Sequence, residues 1–149
     1  MYEHKSSWDE NTGIATYTIH TTEYNLTFIG TAYCHPDDDS WKNELVGIEI
    51  AKRRAWIKVY QHFKNHELRP QLNALKQLYY SMNRSKNFNE NSYENRMLQR
   101  QIRMITFDLA TINETIAELR KDLKHYIDKK DEFHKSIENL RVKQNQTTS

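Results

Sequence analysis

The clearest structural pattern in this 149-residue chain lies in Ser92–Lys143, SYENRMLQRQIRMITFDLATINETIAELRKDLKHYIDKKDEFHKSIENLRVK. Side chains recur in it at alternating steps of four and three residues, and twelve of the thirteen positions in this stripe are apolar. The positions are Leu98, Ile102, Ile105, Leu109, Ile112, Ile116, Leu119, Leu123, Tyr126, Lys130, Phe133, Ile137 and Leu140. This heptad pattern predicts a helix over residues 92–143, with Ser92 as its N-cap and a coiled-coil seam along one side.

The predicted helix is too long for a single partner to cover its apolar stripe. At 1.5 Å per residue it would measure roughly 70 Å. We expect the preceding helices to fold back along part of it. We expect the distal half of the seam to pair between copies of the chain.

Residues 10–36 are predicted to form an antiparallel β-hairpin. Polar and apolar side chains alternate from Ile14 to His20 and again from Tyr24 to Tyr33, in segments rich in Thr, Ile, Tyr and Phe. The connection Thr21–Glu23 is short. A lone hairpin is marginal in water, so its apolar face must pack on helices or on another copy.

From Trp41 the apolar spacing changes to about 3.6 residues, which predicts a helical segment over residues 41–83. Pro70 should break or kink this segment near Arg69, and whether it forms one kinked helix or two stays open. The polar residues 84–91 predict a loop. The fold class is therefore α+β in a single domain, residues 1–149. It has an N-terminal antiparallel β-hairpin or sheet, then long antiparallel helices that end in a coiled-coil helix.

Composition excludes several classes of protein. With only 3 Gly and 2 Pro, the chain lacks the turn residues of sandwiches, barrels and doubly wound sheets, and it has no Gly-rich phosphate loop. A single cysteine, Cys34, excludes an internal disulfide and a cysteine-based zinc site. No apolar run approaches 18 residues and no secretory leader is present. We therefore expect a soluble, cytoplasmic protein with no membrane partner.

The formal net charge of +2 conceals a partition along the chain. Residues 1–40 carry a net charge of −6, residues 41–107 carry +8, and residues 108–149 are neutral. A basic middle segment can bind an anionic partner, or it can be an ordinary solvated helix face. Arg53, Arg54 and Lys58 either extend the basic surface or only aid solubility.

A second stripe on the last helix carries the candidate ligand-binding residues. Tyr93, Arg96, Arg100, Arg103 and Phe107 are spaced by three and four residues, away from the seam, and no carboxylate occurs from Asn95 to Phe107. The loop just before the helix adds Phe88, Asn89 and Asn91. Guanidinium groups suit phosphate, aromatic rings suit base stacking, and Asn amides suit base or ribose edges. The alternative is a solvated face whose arginines pair with acids from a neighbouring helix.

The sequence offers no positive case for catalysis or for a metal. The consecutive aspartates Asp37–Asp39 beside His35 project in different directions, so a loop that caps the next helix is favoured over a metal site. Cys34 and His35 are neighbours at a strand end and point to opposite faces, which does not suit a thiol nucleophile with its base. We therefore predict no enzyme, no catalytic residue, no metal and no cofactor. Without a helix-turn-helix motif, specific DNA is not expected as a partner.

Three segments carry a resemblance to a known family: Phe28–Asp38 (FIGTAYCHPDD), Gly47–Ala51 (GIEIA) and Arg54–Lys58 (RAWIK). They resemble the first-described type of Thoeris anti-defence sponge, small proteins carried by phages of Gram-positive bacteria. The resemblance implies an N-terminal antiparallel sheet with long C-terminal helices. It also implies binding and sequestration of cyclic ADP-ribose isomers made by bacterial TIR-domain proteins, with no catalysis, and sites for cyclic oligonucleotides in some members. It further implies dimers, or hexamers built from dimers, and pockets with an aromatic residue and arginines, for which Phe88, Arg96 and Arg100 are the nearest candidates.

The resulting hypothesis is a homo-oligomeric sponge that holds a cyclic nucleotide-derived signal in the cytoplasm of an infected bacterial host. In it, Arg96, Arg100 and Arg103 hold the pyrophosphate, Phe88 and Tyr93 stack on adenine, and Asn89 or Asn91 contacts ribose or base edges. The main alternative is a coiled-coil protein-interaction module, a structural or regulatory phage accessory protein that acts through the seam. A third hypothesis is nucleic-acid binding through the basic middle segment.

Overall fold

The computed structural model describes residues 1–35, 41–84 and 89–147. Its elements are β1 (Tyr2–Asp9), β2 (Ile14–Thr21), β3 (Leu26–Tyr33), α1 (Trp41–Phe63), a π-helical turn (Lys64–Leu68), α2 (Arg69–Asn83) and α3 (Tyr93–Thr147). The predicted α+β class, with an antiparallel sheet ahead of long helices, is confirmed. The chain divides into two units: a sheet unit (Met1–Val59 with Glu118–Ser149) and a helical unit (Tyr60–Ala117).

The sheet has three antiparallel strands in the order β1-β2-β3, one more than the predicted hairpin. The sequence does not predict β1, because seven of its eight side chains are exposed and most of them are polar. In the observed register one face of the sheet carries the rows Tyr2–Thr21–Leu26, His4–Ile19–Phe28, Ser6–Tyr17–Gly30 and Trp8–Ala15–Ala32. This face is the one that the alternation in β2 and β3 predicts as apolar.

Two left-handed residues make the turns of the sheet. Gly13 has φ 71° and donates its N–H to the Asp9 carbonyl at 2.8 Å, while Asn11 N–H binds the Asp9 carboxylate at 2.9 Å. Asn25 has φ 51° in the second turn, so β3 begins at Leu26, two residues later than the alternation predicts. Gly and Asn adopt this backbone region at least cost.

Small residues let the sheet lie very close to α1. The buried residues Ala15, Ala32, Ile50 and Ala51 form one core cluster, and Leu123, Tyr126 and Ile127 of α3 pack against it. At Gly30 the approach is so close that a Cβ would lie 2.5 Å from the Ala55 nitrogen and nearer still to the Ala51 carbonyl oxygen. The sheet unit therefore depends on the absence of a side chain at Gly30.

Cationic side chains cover the outer edge of β3. Lys58 Nζ donates to the Ile29 carbonyl at 2.6 Å, an Arg54 Nη donates to the Thr31 carbonyl at 2.7 Å, and Lys130 Nζ donates to the Tyr33 carbonyl at 3.1 Å. Unpaired strand edges recruit other strands, and lysine is a common means of blocking them. Arg54 and Lys58 thus bind backbone carbonyls at the edge of the sheet.

Lys130 is the one polar position of the seam. Its hydrogen bond to the Tyr33 carbonyl gives a structural reason for a lysine at this position. With Leu123 and Tyr126 it turns this part of the seam toward the sheet of its own chain. Further along, Leu140 is 58% exposed and Val142 is 53% exposed. Pairing of this distal part between copies stays a prediction.

Arg53 is held inside the sheet unit. Its guanidinium forms an ion pair with Glu49 one turn away and lies 4.3 Å from the centre of the Tyr126 ring. Glu49 also acts on Tyr17, whose pKa is raised above its ordinary value by burial first and by this negative charge second. Arg53 therefore has structural partners and does not extend a basic surface.

Pro70 sits in the first turn of α2, directly after the π-helical turn. The Arg69 N–H donates to the Lys64 carbonyl, five residues back, as in a π-helix. Pro70 has no N–H, and in a regular α-helix its ring would collide with the carbonyl four residues earlier. The wider turn removes that collision, so residues 41–83 stay helical throughout and the predicted irregularity near Arg69 takes the form of a π turn.

Candidate functional site

In the helical unit, α2 and the first half of α3 lie side by side and antiparallel. One groove between them is lined by Gln71, Ala74 and Leu75 together with Gln101, Met104, Ile105 and Asp108. A second groove is lined by Lys76, Tyr79 and Tyr80 together with Gln99, Ile102 and Arg103. From the first groove to the second, the residue numbers rise along α2 and fall along α3, so the two helices run antiparallel.

The start of α3 is fixed by a short hydrogen-bonded turn. Ser92 Oγ accepts the Asn95 N–H at 3.2 Å, which confirms Ser92 as the N-cap. Asn89 Oδ1 accepts the Asn91 N–H at 2.9 Å. The buried Asn95 side chain donates to the Glu90 carbonyl at 3.1 Å, and its Oδ1 has no partner among the described residues. This turn places the arginines that follow.

Arg96, Arg100 and Arg103 are all exposed on the same face of α3. None of them has an ion pair within the part of the chain that the structure describes. The neighbouring helix cannot supply one, because α2 contains no Asp or Glu and the sequence has none between Leu68 and Asn89. This weakens the alternative in which these arginines pair with acids from a neighbouring helix.

Residues 68–107 carry seven Lys and Arg residues but only two acids, Glu90 and Glu94. Uncompensated cations on adjacent helices raise the local positive potential, which attracts anions. The three arginines occur along about 10 Å of helix. This length suits a small molecule with two phosphates better than an extended polymer.

The second groove combines this charge with aromatic rings, and we call it the tyrosine groove. Its volume is about 310 Å³, at the lower end of the range for small-molecule sites. Tyr79 and Tyr80 meet edge to face with ring centres 6.1 Å apart, and Tyr80 is 56% exposed. Lys76 and Arg103 supply positive charge, and Gln99 supplies an amide. The lining described here holds no carboxylate, histidine or thiol.

The first groove is larger, about 450 Å³, but its chemistry differs. Its lining is apolar and neutral apart from Asp108. A carboxylate repels phosphate, and no cation lines this groove to offset it. An anionic ligand therefore favours the tyrosine groove.

The predicted site residues are only partly brought together. Arg103 lines the tyrosine groove, while Arg100 lies about one turn and Arg96 about two turns toward the start of α3 on the same face. Tyr93 is 67% exposed at the first position of α3, about 15 Å along the helix from Arg103. Asn91 is exposed, and the amide oxygen of Asn89 is used within the turn. Phe88 lies outside the described residues.

The sequence prediction missed Lys76, Tyr79, Tyr80 and Gln99. One pattern could have indicated them: the Tyr-Tyr pair lies in the stretch without any acid that precedes Glu90. In the sequence Tyr79 falls on the apolar side of residues 72–82 at helical spacing, where half-burial is expected, so its ring does not stand out. Only the antiparallel position of α3 shows that this ring faces Arg103.

Other candidate chemistry in the chain is structural. Cys34 is 1% exposed and packs beside Gly47 in the core. His35 stacks on His134 with ring centres 4.7 Å apart, and Asp37–Asp39 lie outside the described residues. Across residues 1–35, 41–84 and 89–147, no group of three or more His, Cys, Asp or Glu side chains is arranged to hold a metal ion. Among the helices of the same ranges, none is long and apolar enough to span a bilayer.

The chain was compared with protein-family models, with curated proteins and with solved structures, and no match was found in any of the three comparisons.

Proposed function

We propose that this chain binds a small cyclic nucleotide-derived signal, of the class of cyclic ADP-ribose isomers, and holds it without cleaving it. The observation that supports this most is the set of three exposed arginines on the face of α3 where Arg103 lines the tyrosine groove, none of which has an ion pair within residues 1–35, 41–84 and 89–147. An ion-paired arginine has to give up its partner before it binds phosphate, and no described residue imposes that cost on these guanidinium groups.

In this proposal each part of the ligand meets a matching surface. Arg103 and Lys76 bind one phosphate at the groove, and Arg100 and Arg96 bind the second phosphate or the ribose beyond it. Tyr80 stacks on the adenine ring, a contact worth about 1–3 kcal/mol per base. Gln99 hydrogen-bonds base or ribose edges. Binding of the ligand without cleavage fits this groove, because the polar groups described in its lining are cations, phenols and an amide.

The biological consequence would be sequestration in the cytoplasm of an infected bacterial cell. A protein that binds the signal tightly, and that is present in excess over it, keeps the free concentration below the level that activates an effector. This would inhibit a Thoeris-type defence, in keeping with the sponge family that the sequence resembles. Cyclic oligonucleotides are further candidate ligands for the same chemistry.

The experiment is a thermal-shift and recovery assay with the purified chain. Cyclic ADP-ribose isomers and cyclic dinucleotides are added one at a time, and the bound ligand is then released by denaturation and identified by mass spectrometry. A sponge gains about 2.7 kcal/mol of stability when the ligand is at one hundred times its Kd, and it releases the ligand intact. An enzyme releases an altered ligand, and a chain that no nucleotide stabilises is not a sponge.

Matched variants locate the site. A charge-assisted hydrogen bond contributes about 1.5–3 kcal/mol, so Arg100→Gln and Arg103→Gln should each weaken binding roughly 10- to 150-fold. Arg120→Gln makes the same chemical change at an exposed position further along α3 and should leave the Kd unchanged. Equal losses at all three positions would indicate non-specific attraction to positive charge.

The alternative function, protein interaction through the seam, is favoured by the exposed apolar side chain of Leu140, the last seam position. Under that alternative, Leu140→Lys would abolish binding to a protein partner, and the arginine variants would have no effect in a phage-defence assay. Nucleic-acid binding through the basic segment would instead appear as salt-sensitive binding to bulk DNA.

A further inference from the structure

The two outer edges of the sheet, on β3 and on β1, differ in the groups that bind their backbone. The outer edge of β3 has its Ile29, Thr31 and Tyr33 carbonyls covered by cationic side chains. β1 pairs only with β2 among the described residues, so its other side has no strand partner there. A strand edge of eight residues that pairs with no described strand is a template for another strand.

The register of the sheet shows which groups that edge presents. The Thr22 N–H donates to the Met1 carbonyl, so the odd-numbered residues of β1 exchange hydrogen bonds with β2. The N–H and C=O groups of Tyr2, His4, Ser6 and Trp8 therefore point to the free side. A second strand can pair only in a register that matches even residues with even residues.

The side chains beside that edge are self-complementary. Glu3 and Lys5 lie on the sheet face away from α1, both are exposed, and neither has an ion pair among the residues that the structure describes. Read in the opposite direction, Glu-x-Lys becomes Lys-x-Glu. An antiparallel copy of the same strand thus places opposite charges face to face, as a two-fold interface requires.

We propose that the free edge of β1 pairs antiparallel with β1 of a second copy of this chain, centred on His4, so that Glu3 of each copy faces Lys5 of the other. Tyr2 then lies opposite Ser6, and the two strands exchange about six backbone hydrogen bonds. The result is a continuous six-stranded sheet. This interface does not depend on the proposed ligand or on the coiled-coil seam.

Charge selects this register over its two neighbours, centred on Glu3 and on Lys5, and over the next one, centred on Ser6. Centring the pair on Glu3 would place the two Glu3 carboxylates directly opposite each other. Centring the pair on Lys5 would place the two Lys5 ammonium groups directly opposite each other. Centring it on Ser6 would place Glu3 opposite Asp9 of the other copy, twice. Like charges directly opposite are destabilising, and opposite charges stabilise a cross-strand pair.

Charge reversal tests the interface in solution by sedimentation equilibrium. Glu3→Lys and Lys5→Glu should each raise the dimer Kd about tenfold or more, because both ion pairs become repulsive. The double variant Glu3→Lys/Lys5→Glu should restore dimerisation. The matched control Asp9→Lys, outside the overlap in this register, should have no effect. A chain that is monomeric at several hundred micromolar, or a dimer that ignores these changes, overturns the proposal.

Disulfide mapping tests the register itself. Non-hydrogen-bonded antiparallel neighbours have Cα atoms about 4.5 Å apart, which suits a disulfide, whereas diagonal neighbours are about 7–8 Å apart. When Glu3→Cys and Lys5→Cys proteins are mixed under mild oxidation, the mixed dimer should form in large excess over either homodimer. Predominant Lys5→Cys homodimers, or no cross-link above the level of the wild-type chain with its buried Cys34, would overturn the register.

Discussion

Replacing Gly30 by alanine should damage the sheet unit more than any other substitution of comparable size. The added Cβ would lie 2.5 Å from the Ala55 nitrogen and 3.1 Å from the Ala51 carbonyl carbon, with the Ala51 oxygen nearer still. All of these are backbone atoms of α1, so no side-chain rotation relieves the overlap. Because normal carbon contacts begin at about 3.5 Å, the strand and the helix must separate by about 1 Å.

The cost follows from that separation. Overpacking alone costs about 1–3 kcal/mol, and a gap of about 1 Å forfeits up to half of the dispersion attraction across the opened contact. The buried side chains between the sheet and α1, Ala15, Ala32, Ile50 and Ala51, are all apolar and would lose contacts as the gap opens. We expect G30A to lower the free energy of unfolding by about 3–4 kcal/mol.

Gly47 provides the matched control. The three atoms nearest to a Cβ there belong to side chains: Cys34 Sγ at 3.0 Å, Ala15 Cβ at 3.2 Å and the Trp8 ring at 3.3 Å. Alanine also gains about 1 kcal/mol over glycine within a helix, which offsets the crowding. G47A should therefore stay within about 1 kcal/mol of the wild type.

The assay is urea unfolding followed by tryptophan fluorescence, because Trp8, Trp41 and Trp56 all belong to the sheet unit. The midpoint should fall strongly for G30A, with little change in the slope. If G30A and G47A unfold at the same urea concentration, the close approach of β3 to α1 is refuted.

The other predictions concern the sheet edge, the pH dependence and the aromatic contact. Arg54→Ala with Lys58→Ala should uncover the Ile29 and Thr31 carbonyls and produce assemblies larger than a dimer, measured by light scattering; unchanged size would show that these bonds do not protect the edge. The pKa of Tyr17 is raised in the folded state, so its neutral phenol contributes to the free energy of unfolding fully below about pH 10, and this contribution is lost as the pH rises through the folded pKa. Urea titrations at pH 9 and pH 11 should show a smaller loss of unfolding free energy for Tyr17→Phe than for the wild type. An equal loss would contradict the raised pKa. Tyr80→Leu should weaken nucleotide binding by about 1–3 kcal/mol in calorimetry, and an unchanged Kd would exclude stacking on this ring.

Periodicity in the sequence predicts the long elements well. The heptad stripe and Ser92 indicate α3, and the alternation after Ile14 indicates β2 and β3 together with their apolar face. β1 escapes prediction because an edge strand with one half-buried side chain, Trp8, has no alternation to detect. The polar and apolar alternation begins at Tyr24, but the left-handed backbone of Asn25 keeps residues 24–25 in the turn, so β3 begins at Leu26.

The roles of individual cations could not be predicted in the same way. Lys130 interrupts the seam, but its partner, the Tyr33 carbonyl, lies 97 positions away in sequence. Arg54 and Lys58 are separated from their β3 carbonyls by 23 and 29 positions. The carboxylate-free arginine stripe is visible in the sequence, whereas the tyrosines that complete the groove need the antiparallel packing of α2 and α3.

Sequestration of the signal is measured by isothermal titration calorimetry with a cyclic ADP-ribose isomer, followed by chromatography of the ligand released on denaturation. We expect saturable binding, a Kd that Arg103→Gln raises by at least about tenfold and Arg120→Gln leaves unchanged, and release of the intact ligand. A titration that shows no saturable heat with any cyclic nucleotide, or recovery of the ligand in altered form, would contradict sequestration.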